Sequence, residues 1–533
     1  MILDQDRYNS NNNYSIDKSP PELLHTYNPL YIQQSLLLQK SQYSYLNRGS
    51  FDTITISFKI KSTMAVVNSN PQNNQYVWRE HWGVKLKWTP EHLTADDLKP
   101  LIYSYDTVAT DVVQRLNEIS SSSYKTNSSR NSEGEKKVQQ NLYELLQEYA
   151  STDDKVGGLW NEINTIPRWV DWEQIERGQK VFYRYGGPAI TALTLVSLLG
   201  GMGSGRTVET LDRTGGFGVD VVRRRLLETS QHTLNITRDL ESIQPGGDGF
   251  ADSVRVRLLH AAVRRRIMQM AEKGPDYYDS KTFGVPISDL DCIGTINAFS
   301  ATLVWMGLPR QGIWLREREI TDYLALWRYV AYLMGTPHDW MSTPESARRM
   351  MESVLVSEIK PSKASANLAN NIIAGLQDQP PTDASREFLC AQTYWLNGKE
   401  LSRELGVEEP GLYYTALVLG QCIIFATLSY INRSIGYLDA RNIKLARSAL
   451  YQILLHDKSK GALGYTTKFN FKYMPSCNRT TTVRGPAPAD TGRLRTPGRA
   501  ERVALISLFT SATLVYIVSS WCCIKVVGWL NSH

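Results

Sequence analysis

Cysteine is scarce in this chain, and the six present (Cys292, Cys390, Cys422, Cys477, Cys522 and Cys523) include no C-x-x-C pair. That spacing excludes a zinc ribbon, a redox dithiol and a secreted disulfide framework, and reduced thiols are the simplest state. One-sided charge is also lacking: 59 Lys and Arg stand against 53 Asp and Glu, a net +6 with no basic block, so no nucleic-acid partner is expected. The first 34 residues hold no apolar run long enough for a secretory signal, which predicts a protein that stays inside the cell. With 42% hydrophobic residues over 533 positions, collagen, coiled coil and wholesale disorder are excluded, and there is ample material for a large core.

Patterning divides the chain. Residues 1–75 are polar and rich in Asn, Gln and Ser, and read as a disordered tail, with Met64 an alternative start. Residues 76–137 read as a peripheral segment containing a Ser-rich surface loop over 120–132. From 138 to 475 the apolar spacing is mostly three and four, with stripes at 188–200, 219–238, 254–272, 289–307, 319–334 and 345–358. Prolines at 309, 337, 361 and 380–381 fall where helices must stop. An all-α domain is therefore predicted.

Past it, 476–502 reads as a basic linker, followed by 22 uncharged residues, Val503 to Ile524, enough helix for a bilayer core of about 30 Å. Four arginines precede this segment and only Lys525 follows it, so the positive-inside bias places the large domain in the cytosol. A second uncharged run, Pro410 to Asn432, has Gly420 and Gln421 at its centre and is expected to be a buried or membrane-grazing helix rather than a span.

Two segments invite a chemical reading. Gly200-Gly-Met-Gly-Ser-Gly-Arg-Thr207 nearly spells a phosphate-binding loop, with Arg206 at the lysine position. It follows a helical pattern instead of a buried strand, so a close helix-to-helix turn or backbone approach to a flat ligand is the better expectation. Helical spacing puts Arg225, Thr229 and His232 on one face of one helix, and on the next surrounds His260 with Val256, Arg257, Val263, Arg264 and Ile267. Such a histidine suits iron, such aliphatics cover a porphyrin, and Arg257 or Arg264 suits a propionate. A histidine packed in a core meets the same pattern, and the spacing alone does not separate the two. His338 reads as a capping or surface residue.

Several ordered strings share a source: Ile166-Pro-Arg-Trp-Val-Asp-Trp172, Arg177-Gly-Gln-Lys-Val-Phe-Tyr183, Ser197-Leu-Leu-Gly-Gly201, Arg213-Thr-Gly-Gly-Phe217, Arg257-Leu-Leu-His-Ala-Ala-Val-Arg264 and Gly294-Thr-Ile-Asn-Ala-Phe299. Over about residues 160–475 they resemble the family uniting latex clearing proteins, which are rubber oxygenases, with the ER-bound oxygenase of mycophenolic acid biosynthesis, nearest its fungal, membrane-anchored branch. The resemblance implies a globin-like, all-α helical bundle around a haem pocket, completed by the C-terminal transmembrane helix. It implies haem b with His260 as its iron ligand, Glu209 as catalytic base, and Arg225 and Thr229 on the distal side. It also implies oxidative cleavage of an isoprenoid carbon–carbon double bond by O2, on an ER membrane with the domain facing the cytosol. A lipidic small molecule reached from the membrane suits an anchored chain better than polymeric rubber. One departure stands out: Glu228 occupies the position of the lysine thought to cap the iron in latex clearing proteins. It keeps a second function in view, a haem-free helical lipid-binding or scaffold protein on the same fold.

Overall fold

The computed structural model describes residues 76–127, 141–457, 462–464 and 496–530, all within the unit spanning 66–533. The expected tail over 1–75 and most of the linker lie outside them. Helices of ten residues or more are α1 Thr107–Asn127, α2 Asp154–Asn164, α3 Trp172–Arg184, α4 Gly205–Thr214, α5 Val219–Thr237, α6 Asp248–Lys273, α7 Asp289–Phe299 and α8 Glu317–Leu333. They continue with α9 Pro344–Glu358, α10 Lys363–Leu376, α11 Arg386–Asn397, α12 Leu412–Ser434, α13 Gly436–Tyr451 and α14 Arg499–Leu530. The sheet content of the described residues is one antiparallel hairpin, β1 Val77–His81 with β2 Val84–Trp88, in register Val77↔Trp88 to His81↔Val84. Its turn residues Trp82 and Gly83 both have positive φ, +51° and +69°, the geometry that matches the twist of a two-residue hairpin. Leu86 and Trp88 alternate inward, and Trp82 Nε1 donates to the Ile359 carbonyl, which docks the hairpin beyond the end of α9.

Local chemistry accounts for the helix ends. Asp153 caps α2 and Asp171 caps α3 by accepting main-chain N–H bonds; Ser288 and Asp291 form a reciprocal capping box on α7. Gly215, at φ +66°, ends α4 in the left-handed conformation that only glycine adopts without cost. The prolines act as expected: α8, α9 and α10 end at Leu333, Glu358 and Leu376, ahead of Pro337, Pro361 and Pro380. The predicted stripe over 289–307 breaks at Ser300, and Leu303–Gly307 continues as a π-helical turn. A second π-helical turn, Leu193–Leu199, stands where one continuous helix was expected over 188–200.

Two expected boundaries differ from the structure. The Ser-rich loop begins later than the composition suggests, because α1 runs to Asn127. Its apolar face (Val112, Val113 and Leu116, all buried) anchors the helix, and serine continues an established helix at little cost. The basic linker also ends earlier than 502, since residues 499–502 are already helical. Glu501 is buried there, its carboxylate accepting the N–H groups of Ser385 (2.8 Å) and Gly498 (2.9 Å) and tying the start of α14 to the domain.

Among the described residues, three helical stretches are long and apolar enough to cross a bilayer: Gly186–Gly203, Leu412–Ser434 and Arg499–Cys522, with 56%, 28% and 11% of their most apolar windows buried. Burial separates them: the first belongs to the core, and the last presents its surface outward. Helix α12 is fastened to the domain near its middle and near its end. Gln392 donates to Gln421 Oε1 (2.6 Å), Tyr430 Oη accepts the N–H of Trp314 (3.1 Å), and Arg433 donates to Tyr185 Oη (3.1 Å).

The core is stitched most closely where α3 meets α8. Arg177 grips both oxygens of Asp322 at 2.9 and 3.1 Å, and a Cβ at Gly178 would overlap the Asp322 carbonyl oxygen and press on Leu326. Gly178→Ala is therefore expected to destabilise the protein by about 1–3 kcal/mol through overpacking, read as a lowered denaturation midpoint. A midpoint equal to wild type would show that the helix pair slides apart freely.

Candidate active site

Several helical segments enclose a cavity of about 1110 Å³, its open mouth included. The π-helical turn contributes Leu193 and Leu198, α4 contributes Leu211, α5 contributes Leu226 and Thr229, α7 contributes Phe299 just past Gly294, and α9 contributes Val354. The lining is mainly aliphatic, with a few hydroxyls and one charged cluster of Arg206, Asp291 and Glu358. Arg206 donates from Nε to Glu358 (2.9 Å) and holds Asp291 at 2.9 Å. Burial works against its charge, but the two carboxylates prevail and raise its pKa above the ordinary arginine value.

Among the residues singled out from sequence, Thr229 lines this cavity; Glu209, Arg225 and His260 do not. Thr229 donates to the Arg225 carbonyl (3.0 Å) while its side chain opens onto the cavity. Helices α5 and α6 run antiparallel, held by His232 with Ser253 at 3.1 Å and Asn235 to Asp252 at 2.7 Å. That register brings Arg225 towards His260. The imidazole of His260 is driven down to a pKa of about 4 by burial first, then by the charges of Arg264 and Arg225. Its Nδ1 is buried and has no hydrogen-bond partner among the described residues.

Glu209, on α4, is held by Arg213 one turn on, Oε2 to Nη1 at 2.8 Å, and Arg213 also reaches the Glu209 and Tyr277 carbonyls. The steadying guanidinium beside Glu209 is thus Arg213, which the spacing argument did not select although i, i+4 is visible in the sequence. Glu228, the residue at the lysine position, is buried and paired with Arg224 (3.0 Å) and Arg225 (3.2 Å). It orders Arg225 and leaves no cation at that position.

The two arginines expected to receive a propionate are placed differently. Arg257 is buried and clamped by Asp106 (2.6 and 3.2 Å) and Glu162 (2.8 Å), which corrects the expectation that it faces a cofactor: its charge is answered within the fold. Arg264 is buried too, but donates to neutral oxygens, those of Pro286, Ile287, Asp106 and Thr110, and burial lowers its pKa. His338 stacks among Trp169 and Tyr332 at a helix-terminal turn, away from the cavity.

The residues present fit a haem at one point above all. A neutral imidazole with an unengaged buried nitrogen is the donor that an iron ligand has to supply, and His260 meets that condition. Among the described residues no cluster of three or more His, Cys, Asp or Glu is arranged to hold a bare metal ion.

The chain thus has an all-helical domain around an apolar chamber, with a neutral histidine on the adjoining helix, and comparison with known proteins finds similarities over this region. Residues 183–419 match the model described as "ER-bound oxygenase mpaB/B'/Rubber oxygenase, catalytic domain", a similarity that covers less than half of the chain. The Rubber oxygenase of Streptomyces sp. (strain K30) is 22% identical over 280 residues, 49% of this chain and 65% of its own length, so the match spans just under two thirds of that relative. A solved structure of latex clearing protein in the closed state shares the fold, with a TM-score of 0.50 at 17% identity, covering 74% of this chain and 98% of that one.

Two outcomes are expected. Glu228→Lys would place a third cation beside Arg224 and Arg225 in a buried position and destabilise the protein by about 3 kcal/mol or more in denaturant titrations; an unchanged midpoint would show that the pairing contributes nothing. His232 is held below the ordinary histidine pKa by burial, so the unfolded chain binds its proton first as pH falls below about 6.5, and stability drops. His232→Gln should flatten the fall in denaturation midpoint between pH 7 and 5, and a slope identical to wild type would remove His232 from that account.

Proposed function

We propose that this protein is a membrane-anchored, haem-dependent oxygenase that cleaves a carbon–carbon double bond of an isoprenoid or similarly unsaturated lipid with O2. Both oxygen atoms enter the product, one in each new carbonyl, aldehyde and ketone, so no further reductant is required. The observation that carries the reading is an apolar chamber of about 1110 Å³ inside the family-matched segment, walled by Thr229 on a helix whose neighbour carries the neutral, unpartnered His260. Haem b would be held by His260, and when bound it supplies the O2 activation that side chains cannot. Arg264 is the better of the two arginines for a nearby anionic group, because Arg257 is already clamped by carboxylates.

The remaining work falls to this chain's own residues. The aliphatic wall excludes water and aligns an unsaturated chain. Glu209, held by Arg213, is the carboxylate that the resemblance names as base; it lies outside the chamber lining, on the helix that sends Leu211 to the wall. Burial first, then the charges of Arg264 and of Arg225, which Glu228 fixes, keep the His260 imidazole unprotonated. Helix α14 anchors the domain, with its arginine-rich side and the domain towards the cytosol; the family's description as ER-bound supports that membrane.

A second reading, a haem-free lipid-binding protein, is favoured by one observation: the chamber wall includes Thr229 but not His260, Arg225 or Glu209. One experiment separates the two. The full chain, expressed with haem precursor and purified in detergent, should show a Soret band that His260→Ala removes or shifts. Glu209→Gln should keep the band and lower terpenoid-dependent O2 uptake by about 100-fold or more. Folded wild type that has no Soret band yet binds terpenoids would establish the second reading.

A further inference from the structure

The glycine-rich segment Gly200–Thr207 has no part in that chemistry, yet it builds one end of the chamber. Gly203 and Gly205 lie against Ile359 and the Lys360 carbonyl, where a Cβ would clash, so they serve close packing. Gly201 differs: a Cβ there would meet no atom within 4 Å, and the residue lines the chamber. Arg206, at the lysine position of the apparent phosphate loop, is bracketed by Asp291 and Glu358 (both 2.9 Å), and Thr207 donates to Asp291 at 2.7 Å. A phosphate arriving here would meet two carboxylates beside the single guanidinium. The loop resemblance therefore carries no phosphate chemistry.

Elsewhere the wall is chemically quiet. The hydroxyls of Ser197, Thr229, Ser230, Thr233 and Thr295 all donate to main-chain carbonyls, so their protons are unavailable to a ligand. Thr194 and Ser204 add hydroxyls to the wall, but the charged side chains of the lining all sit in the Arg206 cluster, which is its strongest polar feature. One positive group between two negative ones repels an anionic head. A ligand with no polar atom would strip water from the cluster and return nothing for it. A hydroxyl can donate to a carboxylate and accept from the guanidinium at once, and so suits both partners.

We propose that Arg206, Asp291 and Glu358 form the head-group subsite of the chamber, selecting an isoprenoid chain that ends in an uncharged hydroxyl over one that ends in a carboxylate or in hydrocarbon, and that Gly201 sets the width beside it. The proposal rests on reading this cavity as the substrate chamber, and binding tests it without need of turnover.

The full chain in detergent is titrated with farnesol, farnesoic acid and farnesene, following intrinsic tryptophan fluorescence. Wild type is expected to bind farnesol about tenfold more tightly than either of the others. Glu358→Gln, which leaves the guanidinium with one carboxylate, should lower the preference for farnesol over farnesoic acid by about tenfold. Gly201→Phe, which projects into open space, should abolish binding of all three while leaving the circular dichroism melt unchanged. Equal affinities in wild type, a preference for farnesoic acid, or no binding of any probe would overturn the subsite. If Gly201→Phe abolishes binding but Glu358→Gln leaves the preference intact, the head-group assignment falls and the chamber stands. If neither substitution has an effect, the chamber reading falls with it.

Discussion

A single helix with two working faces governs the centre of this molecule. On α5, a periodicity of 3.6 residues sends Leu226, Thr229, Ser230 and Thr233 to the chamber. The same periodicity turns Glu228 and His232 into buried contacts. The helix cannot rotate to favour one set without withdrawing the other, so the bonds to Ser253 and Asp252 on α6 also fix which side chains line the cavity. Arg225 follows from the same constraint: Glu228 holds it, and its charge reaches the imidazole on α6.

The second organising fact is how buried cations are answered. Arg257 lies between Asp106 and Glu162, Arg184 between Glu319 and Asp439, and Arg206 between Asp291 and Glu358. A guanidinium has five donors in a rigid fork and can satisfy two carboxylates at once, which makes it a better cross-link between helices than lysine would be. Two of these three clusters join elements of the packed core. The third opens onto the chamber, where the same arrangement becomes a recognition surface. Arg264 is the exception, a buried cation bonded to neutral oxygens beside His260. Its uncompensated charge helps keep that ring neutral.

How much of this was legible in the sequence depended on whether the signal was local. Helix stops at proline, the α-helical class and the apolar terminal helix follow from periodicity and composition, and each is present. The packing of α5 on α6 was implied by two amphipathic stripes, and Thr229 does reach a cavity. Pairings across more than a hundred residues were not readable: Arg257 with Asp106 is separated by 151 positions, and Arg206 with Glu358 by 152. Arg257 therefore looked available for a propionate because its partners sit on other helices. Glu501 misled in the opposite direction, since one acid among arginines has the pattern of solvated charge, and only the fold reveals the two N–H groups it accepts.

The link between the terminal helix and the domain is mechanical. Gly420 on α12 lets the backbone of α14 approach closely, with the Ala504 carbonyl and Leu508 in the space a side chain would fill. Helix α12 is itself pinned to the domain through Gln421, Tyr430 and Arg433, and the start of α14 through Glu501. A terminal helix tied at both of these places cannot behave as a loose tether; it must carry the domain's orientation into whatever it enters. Its outward residues, Ile506, Phe509 and Leu514 among them, are more than half exposed, and on α12 Leu428 and Ile431 are about half exposed. The apolar surface of the two helices is thus continuous, and exposed apolar area of this extent is costly in water and stabilised in lipid. Two apolar helices fixed to the domain at several points move with it as one body, so their shared apolar surface keeps a fixed direction relative to the chamber.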